Sequence, residues 1–288
     1  MLGLGPITGT DGALVQMVYK YSGSSVARAP RLHLSSHKTT SLTLVRQKRA
    51  ISQCCQSPPN LDPVYEKGQV LEDYGGLKAY ITGSPESKLA IILISDVFGY
   101  EAPLLRNLAD KVSTSGYFVL VPDFFHGDPA TPEILKNSGD EWLKKHNIPK
   151  GFEEAKQVIA VLKERGFSAI GAAGFCWGGK VVVELAKYDY IKAAVSLHPG
   201  LLTHDDIREV KCPISILGAE TDPYSPPEVI KQFAEILSSK PEVHSHVKIY
   251  PGTVHGWSVR YDVNDKQAVE KAEEAQKDML DWFVKYVK

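Results

Sequence analysis

The sequence predicts an α/β fold, a mostly parallel sheet with helices on both faces. Three observations carry that expectation. Short β-rich runs recur from Val70 onward, and several, such as Leu89–Ser95 and Ala193–Leu197, are almost wholly apolar, as in strands buried on both faces. Between them lie stretches whose apolar residues recur near every 3.6 positions. The two alternate over more than 200 residues, with no internal repeat and no low-complexity linker after residue 60, which points to one domain.

Taken in order, the strand candidates are Leu77–Thr82, Leu89–Ser95, Tyr117–Val121, Ala169–Gly174, Ala193–Leu197, Pro213–Gly218 and His246–Tyr250. Leu104, Leu108 and Val112 share one face of a helix after the second strand. Phe152, Ala155, Ile159 and Leu162 share a face of another before the fourth. A helix starts near Trp177. The last helix, about Asp265–Val287, repeats the spacing with Ala268, Ala272, Ala275, Met279 and Phe283. Phe124–Lys150, rich in Gly, Pro, Asp and Asn, breaks the alternation. It follows a strand end, where loops of such sheets build ligand sites.

Residues 1–52 stand outside this pattern. They hold seven Lys/Arg, one acid (Asp11) and twelve Ser/Thr, without convincing apolar periodicity. That is the composition of an organellar transit peptide or of a disordered tail. The globular domain is expected over 53–288. The net charge of −1 argues against a nucleic-acid partner. The longest apolar runs fall far short of the ~20 residues that span a bilayer. Four cysteines without a CxxC pair argue against a disulfide scaffold and against a structural zinc site. A soluble protein of a reducing compartment is expected: the cytoplasm, with the chloroplast as the rival if residues 1–52 act as an address.

The sharpest chemical signal is Gly174-Phe175-Cys176-Trp177-Gly178-Gly179, between an apolar strand and a helix. A G-x-nucleophile-x-G turn there is a nucleophile elbow, with glycines flanking the nucleophile because the chain turns too sharply for nearby Cβ atoms. In that arrangement an acid and then a histidine follow in the chain. Asp222 falls in the loop after Pro213–Gly218, and His255 in the loop after His246–Tyr250. All three residues land at the carboxyl ends of strands. With an ordinary pKa of about 8.5 a thiol is mostly protonated and unreactive at neutral pH, and a helix N-terminus and an imidazole both favour the attacking thiolate. Asp222 would hold the His255 tautomer, and His255 would protonate the leaving alkoxide. The oxyanion needs two backbone N–H groups, one from Trp177 and one from the loop Ser95-Asp96-Val97-Phe98-Gly99.

From about residue 53 onward the chain resembles the dienelactone hydrolase (carboxymethylenebutenolidase-like) family of α/β-hydrolases, especially its plant members. Five motifs carry the resemblance: SDVFGYE (95–101), PDFFHGD (122–128), GFCWGGK (174–180), LGAETD (217–222) and VHGWSVRY (254–261). The resemblance implies the α/β-hydrolase fold, Cys176, Asp222 and His255 as the triad, and Val97 and Trp177 as oxyanion donors. It also implies an acid contacting the cysteine when substrate arrives. Asp96 occupies that position, one methylene shorter than the family's usual glutamate. Arginines grip a lactone carboxylate in the bacterial enzymes; Arg260 lies near one such position, displaced by about one residue.

Further pocket candidates are His126, His198 and Trp257, each with a plainer alternative: a solvated loop residue, a turn cap and rim packing. Asp123 reads as a structural acid bonding nearby loop amides. His244 and His246 share a strand face and superficially resemble metal ligands, but no third ligand lies nearby, so an exposed edge is expected. The leading expectation is hydrolysis of a small ester or lactone through a cysteinyl acyl-enzyme, requiring no metal or organic cofactor. The protein would act as a monomer or weak homodimer on a small-molecule substrate. The alternatives are a ligand-binding receptor on a hydrolase scaffold, and a β-glucan hydrolase using two facing carboxylates.

Overall fold

The computed structural model describes residues 58–59 and 66–288; the expectations for residues 1–52 lie outside the described residues. Among the described residues, eight strands form one sheet in the order β1-β2-β4-β3-β5-β6-β7-β8. The strands are β1 (Gln69–Leu71), β2 (Ala79–Thr82), β3 (Leu89–Ile94), β4 (Phe118–Pro122), β5 (Ala169–Phe175), β6 (Ala193–Leu197), β7 (Ile214–Thr221) and β8 (Ser245–Val254). Strands β3 to β8 run parallel, while β2 pairs antiparallel with both β1 and β4. Ile94 pairs with Gly174, Gly174 with Ser196, and Leu197 with Leu217, so the carboxyl ends of β3, β5, β6 and β7 open on one edge.

The helices are α1 (Pro103–Ser113), α2 (Pro132–Lys145), α3 (Ile148–Glu164), α4 (Trp177–Ala186), α5 (His204–Glu209), α6 (Pro227–Ser238) and α7 (Lys266–Tyr286). Alternate residues of the central strands feed two separate cores. Ile92, Ile94 and Ala172 pack with Ile159 of α3, Val181 of α4 and Phe233 of α6. Ile91, Leu93 and Ala173 pack with Leu108 of α1 and Met279 and Phe283 of α7. The apolar runs read from the sequence are therefore those of strands covered on both sides.

The structure differs from the sequence reading in three places. The break in alternation at 124–150 contains a helix, α2, capped by the Thr131 side chain on the Ile134 N–H with Pro132 in its first turn. Ser138 leaves helical geometry (φ −143°, ψ 26°), and only Leu135, Gly139 and Trp142 are buried. The kink and the sparse buried face erase the periodicity. Strand β1, three mostly exposed residues at the sheet edge, leaves no apolar pattern. Strand β8 continues past Tyr250 through Pro251-Gly252 to Val254, with its ladder to β7 shifted between Ala219 and Thr221.

Candidate active site

The loops at the carboxyl edge of the sheet bring the chemistry together. Cys176 sits between β5 and α4 with φ 50° and ψ −106°, a left-handed conformation for a non-glycine residue. Such strain persists only where the surroundings impose it. They do so here through two glycines. A Cβ on Gly174 would stand 2.6 Å from the Gly179 nitrogen, and one on Gly178 would stand 2.6 Å from the Ser95 carbonyl oxygen. The second contact seats the first turn of α4 directly on the loop after β3. The Cys176 N–H donates to the Leu197 carbonyl (3.2 Å), and its own carbonyl accepts from Gly200 (3.0 Å). Gly200 lies so close that a Cβ there would be 3.3 Å from Sγ. Cys176 is only 5% exposed.

Asp222 and His255, read from the sequence as acid and base, are in contact. His255 Nδ1 lies 2.8 Å from Asp222 Oδ2, with both side chains buried. The other carboxylate oxygen of Asp222 accepts the Tyr224 and Ser225 N–H groups at 2.8 and 3.3 Å, which fixes the plane of the carboxylate. The His255 N–H donates to the Thr221 carbonyl (3.1 Å), tying the end of β8 to that of β7. Two rings flank the imidazole, Tyr224 at 4.7 Å and His198 at 4.9 Å between centroids. Tyr224 escaped the sequence reading; its signal was its place two residues beyond the acid.

Asp96 and Arg260, both candidate pocket residues, are paired with each other. Arg260 Nε lies 3.1 Å from Asp96 Oδ2, and both side chains are buried. Asp96 Oδ1 accepts the Phe98 N–H at 3.0 Å, and the guanidinium lies over the Phe98 ring at 5.0 Å. Val97 is buried beside them and its carbonyl accepts from Ala130 (2.8 Å). Trp177 opens α4, where its backbone N–H belongs to the uncapped first turn of the helix. Its indole is anchored away from the cleft: Nε1 donates to the His146 carbonyl (2.9 Å), and the ring packs on Phe125 at 4.9 Å.

His126 is half-exposed and lies 2.7 Å from Glu154 of α3. His198 is fully buried at the end of β6, with Nε2 3.0 Å from Ser258 Oγ. Trp257 is buried against Tyr250 and His198, at 5.2 and 5.4 Å. Asp123 bonds loop amides, accepting from Phe125 (3.1 Å) and Gly127 (2.7 Å). His244 and His246 are exposed at the β8 edge, their rings beside Tyr286 and Trp282. Among the described residues no group of three or more His, Cys, Asp or Glu is placed to hold a metal ion, and no helix is long and apolar enough to cross a membrane.

Burial pushes the His198 imidazole well below its ordinary range, and the neighbouring His255 and Arg260 push it the same way. Burial also pushes the Cys212 thiol up to about 12, which disfavours its thiolate.

The model of the dienelactone hydrolase family matches residues 77–287. The chain belongs to the dienelactone hydrolase family. Among curated relatives of this hydrolase family, a Zea mays protein named endo-1,3;1,4-beta-D-glucanase is 45% identical over 67% of this chain, and the match spans 64% of that protein's length. The human carboxymethylenebutenolidase homolog is 34% identical over 75% of this chain and 94% of its own. The dienelactone hydrolase of Anabaena variabilis shares the fold with a TM-score of 0.58 at 17% identity, covering 77% of this chain and all of that one (100%).

Proposed function

We propose that this dienelactone hydrolase family member cleaves small esters or lactones through Cys176, with His255 as base and acid and Asp222 as its orienter. The observation that carries the reading is the buried His255–Asp222 contact at 2.8 Å, on the same sheet edge as the strained Cys176 elbow. In this mechanism His255 takes the thiol proton and the thiolate attacks the carbonyl carbon. The oxyanion is held by the Val97 and Trp177 N–H groups. Collapse breaks the C–O bond, forms a thioester on Cys176 and delivers the His255 proton to the leaving alkoxide. Water, deprotonated by His255, attacks the thioester and releases the acid and the thiol. Asp222 stays ionised throughout and stabilises the imidazolium. No step needs a metal or an organic cofactor.

The Asp96–Arg260 pair bears on substrate charge. A lactone carboxylate seated on Arg260 would bring a second anion against the buried Asp96 carboxylate and compete with it for one guanidinium, whereas an uncharged ester makes no such demand. Uncharged small esters and lactones are therefore the substrate class the site favours.

A second reading, β-glucan cleavage, is favoured by the name of the maize relative. It needs two carboxylates flanking the sugar bond about 5–9.5 Å apart. The two acids nearest the site are both buried and engaged, Asp222 by His255 and Asp96 by Arg260. Turnover of p-nitrophenyl acetate and of a mixed-linkage β-glucan, before and after iodoacetamide and in Cys176→Ala, separates the two. Ester turnover lost on alkylation and in the variant supports the thiol mechanism. Ester turnover retained in Cys176→Ala overturns it, and glucan cleavage indifferent to alkylation establishes the second reading.

A further inference from the structure

His198 is the buried titratable group that the proposed chemistry leaves without a task. It directly follows β6 with φ 36°, a left-handed conformation that histidine accepts more readily than most residues but that still signals constraint. Its main chain and Nε2 are bonded and its ring is packed, while the buried Nδ1 makes no hydrogen bond among the described residues. Its main-chain N–H donates to the Leu217 carbonyl at 2.7 Å, and Nε2 lies 3.0 Å from Ser258 Oγ. Phe175 and Trp257 meet the ring at 6.0 and 5.4 Å. The remaining contact is with His255, at 4.9 Å between centroids with the planes at 70°. The charged or titratable groups facing it are His255 and Arg260, backed by Asp222 and Asp96 respectively.

The hydrogen bond from Nδ1 to Asp222 orients the His255 imidazole, and any swing of the ring about its Cβ–Cγ bond would break that bond. The rings on either side oppose the same swing. Tyr224 is half-buried in a surface loop, whereas His198 is fully buried directly after central strand β6, its N–H bonded to the Leu217 carbonyl. We propose that His198 is a positioning residue for His255, its ring forming the rigid wall that fixes the plane of the base between Asp222 and Cys176. The inference rests on the Cys176–His255–Asp222 reading. An uncharged wall is also the form the chemistry requires, because a second cation there would oppose the imidazolium formed in each cycle.

The test is the pH dependence of iodoacetamide alkylation, followed on the Cys176 peptide by mass spectrometry in the full chain, because alkylation reads the thiolate without substrate. In the wild type the thiolate should form below the ordinary thiol pKa, and His255→Ala should abolish that advantage. His198→Asn, which tolerates left-handed backbone and can still bond Ser258 but has no ring, should move the profile most of the way to that of His255→Ala. Its kcat should fall about 10- to 100-fold with KM nearly unchanged. His198→Phe, which keeps a ring without the hydrogen bond, should keep the wild-type profile. If that variant does not fold, Ser258→Ala is its substitute, keeping the native ring and removing the same bond. A wild-type profile and kcat in His198→Asn overturn the proposal whatever its melting temperature. Equal loss in the ring-keeping variant overturns it too, because a general packing role would then suffice. An alkylation profile indifferent to His255→Ala would instead sink the triad reading itself, so the two failures are distinguishable.

Discussion

Gly178→Ala is the perturbation that most directly tests how the sheet builds the oxyanion site. A Cβ at this position would stand 2.6 Å from the Ser95 carbonyl oxygen and 2.7 Å from the Ile94 carbonyl carbon. Both atoms are backbone at the end of β3, so no side chain can rotate out of the way. Either the loop carrying Val97 or the first turn of α4 must then move by on the order of 1 Å, a displacement able to lower a rate about 100-fold. That contact lies between the two N–H groups assigned to the oxyanion, on Val97 and Trp177, and losing one such donor costs about 100- to 1,000-fold in kcat. Overpacking of this kind costs about 1–3 kcal/mol. At about 2–4 °C per kcal/mol for a domain of this size, Tm should fall by roughly 2–12 °C. The assay is p-nitrophenyl ester turnover well below Tm, beside thermal melts and the Cys176 alkylation rate. The expected result is a kcat lowered about 100-fold with a smaller fall in alkylation, because the thiolate draws on His255 as well as on the first turn of α4, whereas turnover also needs both oxyanion donors. Gly116→Ala is the control, since its Cβ meets nothing within 4 Å and its φ of 90° leaves only local strain. A Gly178→Ala enzyme that melts lower but turns over at the wild-type rate would refute the reasoning.

Two further predictions concern buried charge. Arg260→Met leaves the Asp96 carboxylate buried without its cation, and is expected to destabilise by about 3–5 kcal/mol in urea unfolding, with Asp96→Asn added to the same chain recovering much of the loss. The second concerns Asp206 of α5. Burial alone would raise its carboxyl pKa, but bonds from Lys180, Lys187 and Thr203 outweigh burial and hold it well below the usual carboxylate range. The folded state therefore binds this proton more weakly than the unfolded chain. The stabilisation is complete above the unfolded pKa of about 3.9 and is lost as pH falls through the folded value. Tm measured from pH 7 downward should accordingly fall less steeply below about pH 4 in Asp206→Asn than in the wild type; parallel curves would refute the assignment.

How far the sequence could be read depended on the range of each interaction. Apolar runs such as Leu89–Ile94 identify buried strands because the pattern is contained in the strand itself. The elbow is legible for the same reason, since Gly174, Cys176 and Gly178 fall within one turn of chain and their steric demands are local. Cys176, Asp222 and His255 could be ordered because each follows a recognisable strand. What failed was structure whose signal lies elsewhere. Helix α2 is interrupted at Ser138, and its Trp142 is buried against Phe125 rather than in a periodic apolar stripe; only Thr131-Pro132 announced it. The Pro251-Gly252 pair reads as a turn, yet β8 carries it onward because the Gly252 N–H finds Glu220 at 2.8 Å beside the shifted β7 ladder.

Charge pairing was the least legible feature, and it changes the chemistry most. Asp96 and Arg260 were each assigned a separate task, one toward the thiol and one toward a substrate carboxylate, because sequence position suggests roles one residue at a time. Their contact at 3.1 Å in a buried setting couples those tasks. Any anion that recruits Arg260 must share that guanidinium with a buried carboxylate, and two anions close together out of water repel. The same carboxylate already accepts the Phe98 N–H, which helps set the course of the chain around Val97. On the mechanism we propose, a substrate that opens the Asp96–Arg260 pair would disturb the loop assigned an oxyanion donor, whereas one that leaves the pair closed would keep that loop in place. That mechanism would thus link charge at the substrate's far end to electrophilic activation at its carbonyl through a single aspartate.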